Sequence, residues 1–263
     1  MLDILAHDAS ITELRIARPP INLIDVGVLR ALRQALAQAR DSGQRGVLLS
    51  GAPGVFSAGV DIAALLEGDR ADVREYWQQV FLLAAEMARS PVPIFAAVTG
   101  HCMAAGALLA VFCDYRVMAR GAWHVGLNEV RVGVALPECF HYAVRRVVGA
   151  LNAERLLVFG RMLDPVQALD MGLVDELADP ALVVDTAASR LRELLALPRR
   201  GMFETRAIAR NDLASQFADI DALPLEAFVD AFLQPETQAV LRHVAGHARR
   251  TAPAPAAAEP VAG

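Results

Sequence analysis

The chain contains no lysine; all 25 of its basic residues are arginine. That absence excludes several chemistries. A Schiff-base enzyme needs a lysine amine, and a Walker-type phosphate loop needs a lysine on the phosphates. Any anionic substrate must be held by arginine, histidine or backbone N–H groups. Cysteine is scarce as well. Cys102, Cys113 and Cys139 are an odd number with no CxxC pair, so neither a disulfide framework nor a zinc ribbon is expected, and a reducing, cytoplasmic setting fits them. The longest fully apolar stretch, Cys102 to Cys113, is too short to span a bilayer and reads as a buried helix. The N-terminus, MLDILAHDAS, has no basic segment and no long apolar run, so no signal peptide is expected. Aromatic residues make up only 6% of a chain that is 55% hydrophobic, which predicts an aliphatic core. The net charge is −5 with arginines interspersed among acids. A nucleic-acid partner would need a clustered basic face, so neither nucleic acid nor membrane is an expected partner.

What is present is an alternation. Ile11–Ala17 reads as a strand, and Val26–Ala39 carries apolar residues at helical spacing. Gly46–Ser50 is a buried strand ended by the turn residues GAPG. Tyr76–Met87 is a helix, Val92–Val98 another buried strand, Ala105–Phe112 an apolar helix and Tyr115–Ala119 a further strand. Strand–helix alternation of this kind predicts an α/β layered fold. Periodicity alone leaves a doubly wound nucleotide-binding fold open. From about Pro137 the pattern is almost entirely helical. Asp164-Pro165 and Asp179-Pro180 each carry the cap-then-proline signal of a helix start. Three helical segments follow between about Arg199 and Arg249, with apolar positions such as Phe217, Phe228 and Phe232 that a monomer is expected to expose. The expected organisation is an α/β core over 1–198, a helical region over 199–250 and a Pro/Ala-rich tail over 251–263 too poor in apolar side chains to fold. No short tandem repeat is visible.

Three segments carry chemistry. Phe56-Ser57-Ala58-Gly59-Val60-Asp61-Ile62 and Gly100-His101-Cys102-Met103-Ala104-Ala105-Gly106-Ala107-Leu108-Leu109 each place small residues after a buried strand and before a helical run. Small residues let backbone amides approach a ligand, and a helix start offers unpaired N–H donors. Two such amides converging on one oxygen form an oxyanion hole. The same residues equally serve tight turns, and spacing does not decide between the two roles. The third segment is Trp123-His124-Val125-Gly126-Leu127-Asn128-Glu129-Val130-Arg131-Val132-Gly133. Glu129 lies among apolar residues, where a carboxylate has a raised pKa suited to proton transfer near neutrality. The alternative for Glu129 is an ion pair with Arg131 or Arg116. His101, His124 and His141 match no common metal-ligand spacing. Asp61 and Asp114 are candidate backbone caps.

Arg18-Pro19-Pro20-Ile21-Asn22, GVFSAGVDI (Gly54–Ile62), CDYRVMA (Cys113–Ala119) and GLNEVRVGV (Gly126–Val134), followed by Ala153-Glu154-Arg155 and the stretch Ala168–Asp175, stand in an order and spacing that resemble the crotonase (enoyl-CoA hydratase/isomerase) superfamily over roughly residues 8–250. The resemblance implies a spiral of ββα units with C-terminal helices that build a homotrimer or hexamer. It implies an acyl-CoA thioester substrate and no further cofactor or metal. It places the two carbonyl-holding amides at Val60 and Ala105, and the backbone near the adenine end of CoA at Ala58, Val60, Asp61 and Ile62. The position of Ala105 is commonly glycine in the family.

Hydratases of the family carry two glutamates. The first falls here at Leu108 and the second at Glu129. The pattern AAGALLAVFCDYRVMA…GLNE is most similar to the mitochondrial-type Δ3,Δ2-enoyl-CoA isomerases, which keep only the later glutamate. One carboxylate suffices to move a proton from C2 to C4 across an oxyanion-stabilised enolate. Glu138, at a helix start just beyond, is a dipole partner or a second acid. The alternatives are an enoyl-CoA hydratase, another crotonase reaction such as thioester hydrolysis or decarboxylation with Glu138 as acid, or a non-catalytic acyl-CoA binder.

Overall fold

A computed structural model describes residues 1–251, with side chains as far as Gly246; beyond Thr251, which closes the last helix, the Pro/Ala-rich tail lies outside the described residues. The elements follow in chain order as β1 (Leu2–Ala6), β2 (Ile11–Ile16), β3 (Leu23–Ile24), α1 (Val26–Asp41), β4 (Gly46–Ser50), β5 (Gly54–Ser57), β6 (Gly59–Val60), α2 (Ile62–Glu67) and α3 (Arg70–Ala88). Then come β7 (Ile94–Val98), β8 (Gly100–Met103), α4 (Ala105–Phe112), β9 (Tyr115–Ala119), β10 (Val125–Gly126), a 3-10 helix (Glu129–Val132), α5 (Glu138–Val148), α6 (Ala150–Phe159) and α7 (Pro165–Asp170). The chain continues through β11 (Glu176–Ala178), α8 (Val183–Leu195), α9 (Arg199–Ser215), α10 (Leu225–Phe232) and α11 (Pro235–Thr251).

Two sheets share most of the strands in a regular way, and β3 pairs with β6 in a short third. The larger has the order β1-β2-β4-β7-β9-β11, parallel except for the β1–β2 hairpin, and the smaller has the order β10-β8-β5, all parallel. Each of the pairs β4–β5, β7–β8 and β9–β10 sends its first strand to the larger sheet and its second to the smaller, and a helix follows. This is a threefold ββα repeat with no matching sequence repeat. The central strands β4 and β7 are almost wholly apolar because both of their faces are buried. Val47, Leu49, Ile94, Ala96 and Val98 face the core filled by α1, α3 and α4, while Leu48, Phe95 and Ala97 face α8. Helix α8 meets them with Val183, Ala187, Leu191 and Leu195 at helical spacing.

Several expectations are adjusted by the structure. Asp164-Pro165 starts α7 with a capping box, as expected. Asp179-Pro180 instead makes a turn, with Asp179 accepting from Ala181 N–H and Leu182 N–H, and α8 begins only at Val183. Phe217, Phe228 and Phe232, expected to lie exposed on a monomer, are buried within the chain. Phe228 and Phe232 pack edge-on to Trp77 of α3 at 4.6 and 5.8 Å, and Phe217 packs on Phe112 of α4 at 5.7 Å. The C-terminal helices thus fold back over the chain's own α3 and α4. Large exposed apolar side chains group on α6 (Leu151, Val158, Phe159) and α7 (Val166, Leu169), with others scattered along the chain, Ile208 of α9 among them. Among the described residues, no helix is long and apolar enough to cross a membrane.

Candidate active site

The site is built where the short strands end. Gly59 has φ +92°, and a Cβ placed on it would stand 2.9 Å from both Ala104 Cβ and Met103 O, and 3.5 Å from Ala105 N. Only glycine fits, and its smallness brings the backbone before Val60 against the backbone before Ala105. Asp61 N–H donates to Ile24 O, and successive amides of an extended chain point to opposite sides, which turns the Val60 N–H away from β3. Ala105 is the first residue of α4, so its N–H has no partner within the helix. Each candidate donor therefore follows a residue of positive φ: Gly59 before Val60, and Ala104, at φ 48°, before Ala105.

Hydrogen bonds lock these segments together. Ser57 Oγ donates to Asn22 O and accepts from Gly59 N–H. Asn22, itself at φ 53°, donates through Nδ2 to Val55 O and Phe56 O and accepts the Arg18 N–H. The Arg18–Asn22 segment thus holds the β5–β6 turn from below. Asp61 caps α2 through Ala64 N–H and takes the Arg18 guanidinium at 2.9 Å, which satisfies the capping expectation. Asp114 likewise accepts the Ile94 N–H. Ala58 donates its N–H to Ile21 O, and Ile62 opens α2. Ala104 N–H donates to Gly126 O, and β10 runs beside β8 with Gly126 opposite Met103. The loop bearing Glu129 is thereby fastened to the residue preceding Ala105.

Glu129 begins the 3-10 helix and is 8% exposed. Its Oε2 is buried without a hydrogen-bond partner. Burial pushes its pKa up to about 7, against a smaller opposing pull from its own backbone N–H. Neither arginine offered by the ion-pair alternative reaches it. Arg131 donates to Gly160 O, and Arg116 pairs with Asp175 at 2.7 Å. Leu108, one turn into α4, is 5% exposed and walls a small apolar cavity with Ala105, Ile24, Leu29 and Val80. Glu138 does not join this group. Its side chain is 87% exposed at the start of α5 and stands 3.7 Å from Arg145, so helix-dipole complementarity accounts for it. The His101 and His124 rings stack 5.8 Å apart, and His101 Nδ1 accepts the His124 N–H. Beside Asp61 opens a cleft of about 340 Å³ lined by Asp25, Arg30, Leu65 and Tyr76. Tyr76 was not among the candidates read from the sequence, where helical spacing makes it a core residue.

Two backbone amides thus follow residues of positive φ, and the loop that carries a buried, unpartnered carboxyl is hydrogen-bonded to the residue before the second of them. The chain belongs to the enoyl-CoA hydratase/isomerase family, whose sequence model matches residues 6–240. It is 31% identical over 224 residues to human "Enoyl-CoA delta isomerase 1, mitochondrial", covering 84% of this chain and 74% of that protein. It is 32% identical over 208 residues to the "Probable enoyl-CoA hydratase echA17" of Mycobacterium avium, covering 77% and 79%. The solved structure of human mitochondrial delta3-delta2-enoyl-CoA isomerase superposes with a TM-score of 0.89 at 29% identity, covering 95% of this chain and 98% of that one. The crotonase fold expected from the sequence is the fold observed.

Proposed function

We propose that this protein shifts the double bond of a 3-enoyl-CoA thioester to the 2 position. The observation that carries the reading is a buried carboxyl, Glu129, whose Oε2 has no partner, with the apolar Leu108 at the place of a second acid. In this reading the thioester oxygen sits between the Val60 and Ala105 N–H groups. Glu129 removes a C2 proton, the C2–H electron pair moves into the enolate, and the two amides hold the oxyanion. Collapse of the enolate places the double bond at C2–C3 while Glu129 returns the proton at C4. The carboxylate ends as it began, and no electron acceptor enters. Arg18 and Arg30, at the cleft beside Asp61, are the cations positioned to meet a CoA phosphate in a chain without lysine. The exposed apolar side chains of α6 and α7 favour a homotrimer or a hexamer.

The second reading is hydration of a 2-enoyl-CoA, favoured by the family relatives named hydratases. It needs a second group to manage the proton of water, and the exposed Glu138 supplies none beside Glu129. Ultraviolet absorbance separates the readings. With a panel of 3-enoyl- and 2-enoyl-CoA thioesters, gain of conjugation is the expected result. Hydration of crotonyl-CoA at least as efficient as isomerisation would overturn the isomerase reading and with it the role given to Leu108.

A further inference from the structure

Glu129 is not alone in burying an unpartnered polar atom here. Tyr76, in the second turn of α3, is 1% exposed, and its hydroxyl has no hydrogen bond. The ring stands edge-on to Trp77 at 4.9 Å. Phenylalanine would give the same packing without stranding a hydroxyl away from water, which weakens a fold. The indole N–H of Trp77 is also unpartnered, but that ring is packed against Phe228 and Phe232.

Three carboxylates bear on the Tyr76 hydroxyl: Glu129 most strongly, then Asp25 and Asp61. Asp25 and Asp61 are already satisfied. Arg18 reaches both, at 3.2 and 2.9 Å, and each caps a helix, through Val28 N–H and Ala64 N–H. Elsewhere on the cleft Arg30 pairs with Glu75, and Asp72 accepts the Asp69 N–H. Helices α6 and α11, packed on the 3-10 helix, keep Glu154, Arg155, Glu236, Arg242 and His243 exposed. Among these groups one acceptor, Glu129 Oε2, and one donor, the Tyr76 hydroxyl, are left over. Burial first, and the three acids after it, hold the phenol protonated well above its ordinary range, so Tyr76 is a donor at every working pH.

We propose that Tyr76 is a positioning residue of this site: its hydroxyl donates to the Glu129 carboxylate once that group has lost its proton, holding one oxygen while the other faces the substrate. The proposal rests on the reading of Glu129 as the base. Held this way, the carboxylate accepts the C2 proton on its outward oxygen and carries it to C4 without rotating.

The test titrates Glu129 in substrate-free protein by infrared difference spectroscopy, its carboxyl band assigned by loss in Glu129→Gln. In Tyr76→Phe the midpoint is expected to rise, the acidity constant falling by at least about threefold, through loss of one charge-assisted hydrogen bond. The acid limb of kcat/KM moves with it, and kcat falls about tenfold with KM changed less than about twofold. A difluorotyrosine installed at position 76, a stronger donor, moves the midpoint the other way and decides the matter alone should Tyr76→Phe fail to fold. A midpoint unmoved by the replacement overturns the proposal whatever the rates. A moved midpoint in a protein without isomerase activity leaves the Tyr76 contact standing and sinks the reaction assigned to the site. A stationary midpoint in an active isomerase does the reverse.

Discussion

Two carboxylates set inside the fold, Asp114 and Glu129, are handled in opposite ways. Beneath α9, Asp114 receives Arg206 in a two-point contact at 2.8 and 2.8 Å, Arg210 at 3.3 Å and the Ile94 N–H at 2.8 Å. The arginines place further N–H groups on Ser90 O and Phe112 O. At the 3-10 helix, Glu129 is buried, yet one of its oxygens meets nothing. A buried charge surrounded by partners serves the fold, since removing one member leaves the others stranded. A buried carboxyl left without one weakens the fold, and such groups gather where chemistry is done. The difference assigns Asp114 to the scaffold and is the ground on which Glu129 is proposed for the site.

The sharpest way to break this division is Glu129→Gln. Turnover of a 3-enoyl-CoA should fall by about a thousandfold or more, with acyl-CoA affinity changed less than about threefold by calorimetry. A mutant with near wild-type turnover would remove Glu129 from the mechanism. Asp114→Ala should do the opposite: a loss of about 3–5 kcal/mol in urea unfolding, with kcat per folded molecule unchanged. An activity loss without a stability loss there would erase the distinction.

The same Glu129→Gln protein sharpens the comparison through pH. The carboxyl titrates at about 7 in the fold and near its ordinary value when unfolded. Below both values it is neutral in both states and costs nothing. As pH rises toward 7 the unfolded state sheds its proton first, so wild type loses stability, and above 7 the penalty is complete. Glu129→Gln should therefore be more stable than wild type by up to roughly 3 kcal/mol at pH 8 and indistinguishable at pH 4. Thermal melts at the two pH values decide it. Wild-type kcat/KM should rise with pH through about 7, as the base is freed.

The smallest effect concerns the backbone. Ala104 holds φ 48° and ψ −121°, a region that favours glycine. Ala104→Gly should be neutral or stabilise by about 1 kcal/mol, whereas alanine to glycine in a helix interior costs about that much. Chemical denaturation measures the sign.

Much of the scaffold was legible because burial on both faces makes strands such as Gly46–Ser50 uniformly apolar, and amphipathic helices such as α1 keep their period. The second strands, β5, β8 and β10, were not. At two to four residues they have no periodicity, and pairing with one another, not composition, makes them strands. Glu129 was singled out by its apolar neighbours, but only the ordered motifs resembling a family set it above an ion pair. Tyr76 was invisible for the converse reason, since its spacing on α3 is that of a core residue and only its stranded hydroxyl marks it. Phe217, Phe228 and Phe232 misled because sequence cannot tell a face that meets another protomer from one that folds back on its own chain.

The left-handed turns at Gly59 and Ala104 bear on how this protein can vary by descent. A donor made from the main chain places no demand on the side chain that carries it, so the codons for residues 60 and 105 can drift among residues that pack. Position 59 cannot, because a single added methyl meets Ala104 Cβ and Met103 O at 2.9 Å. The inherited constraint on the proposed oxyanion donors would therefore fall on the residues before them, and the letter most resistant to change stands one place before the amide it positions.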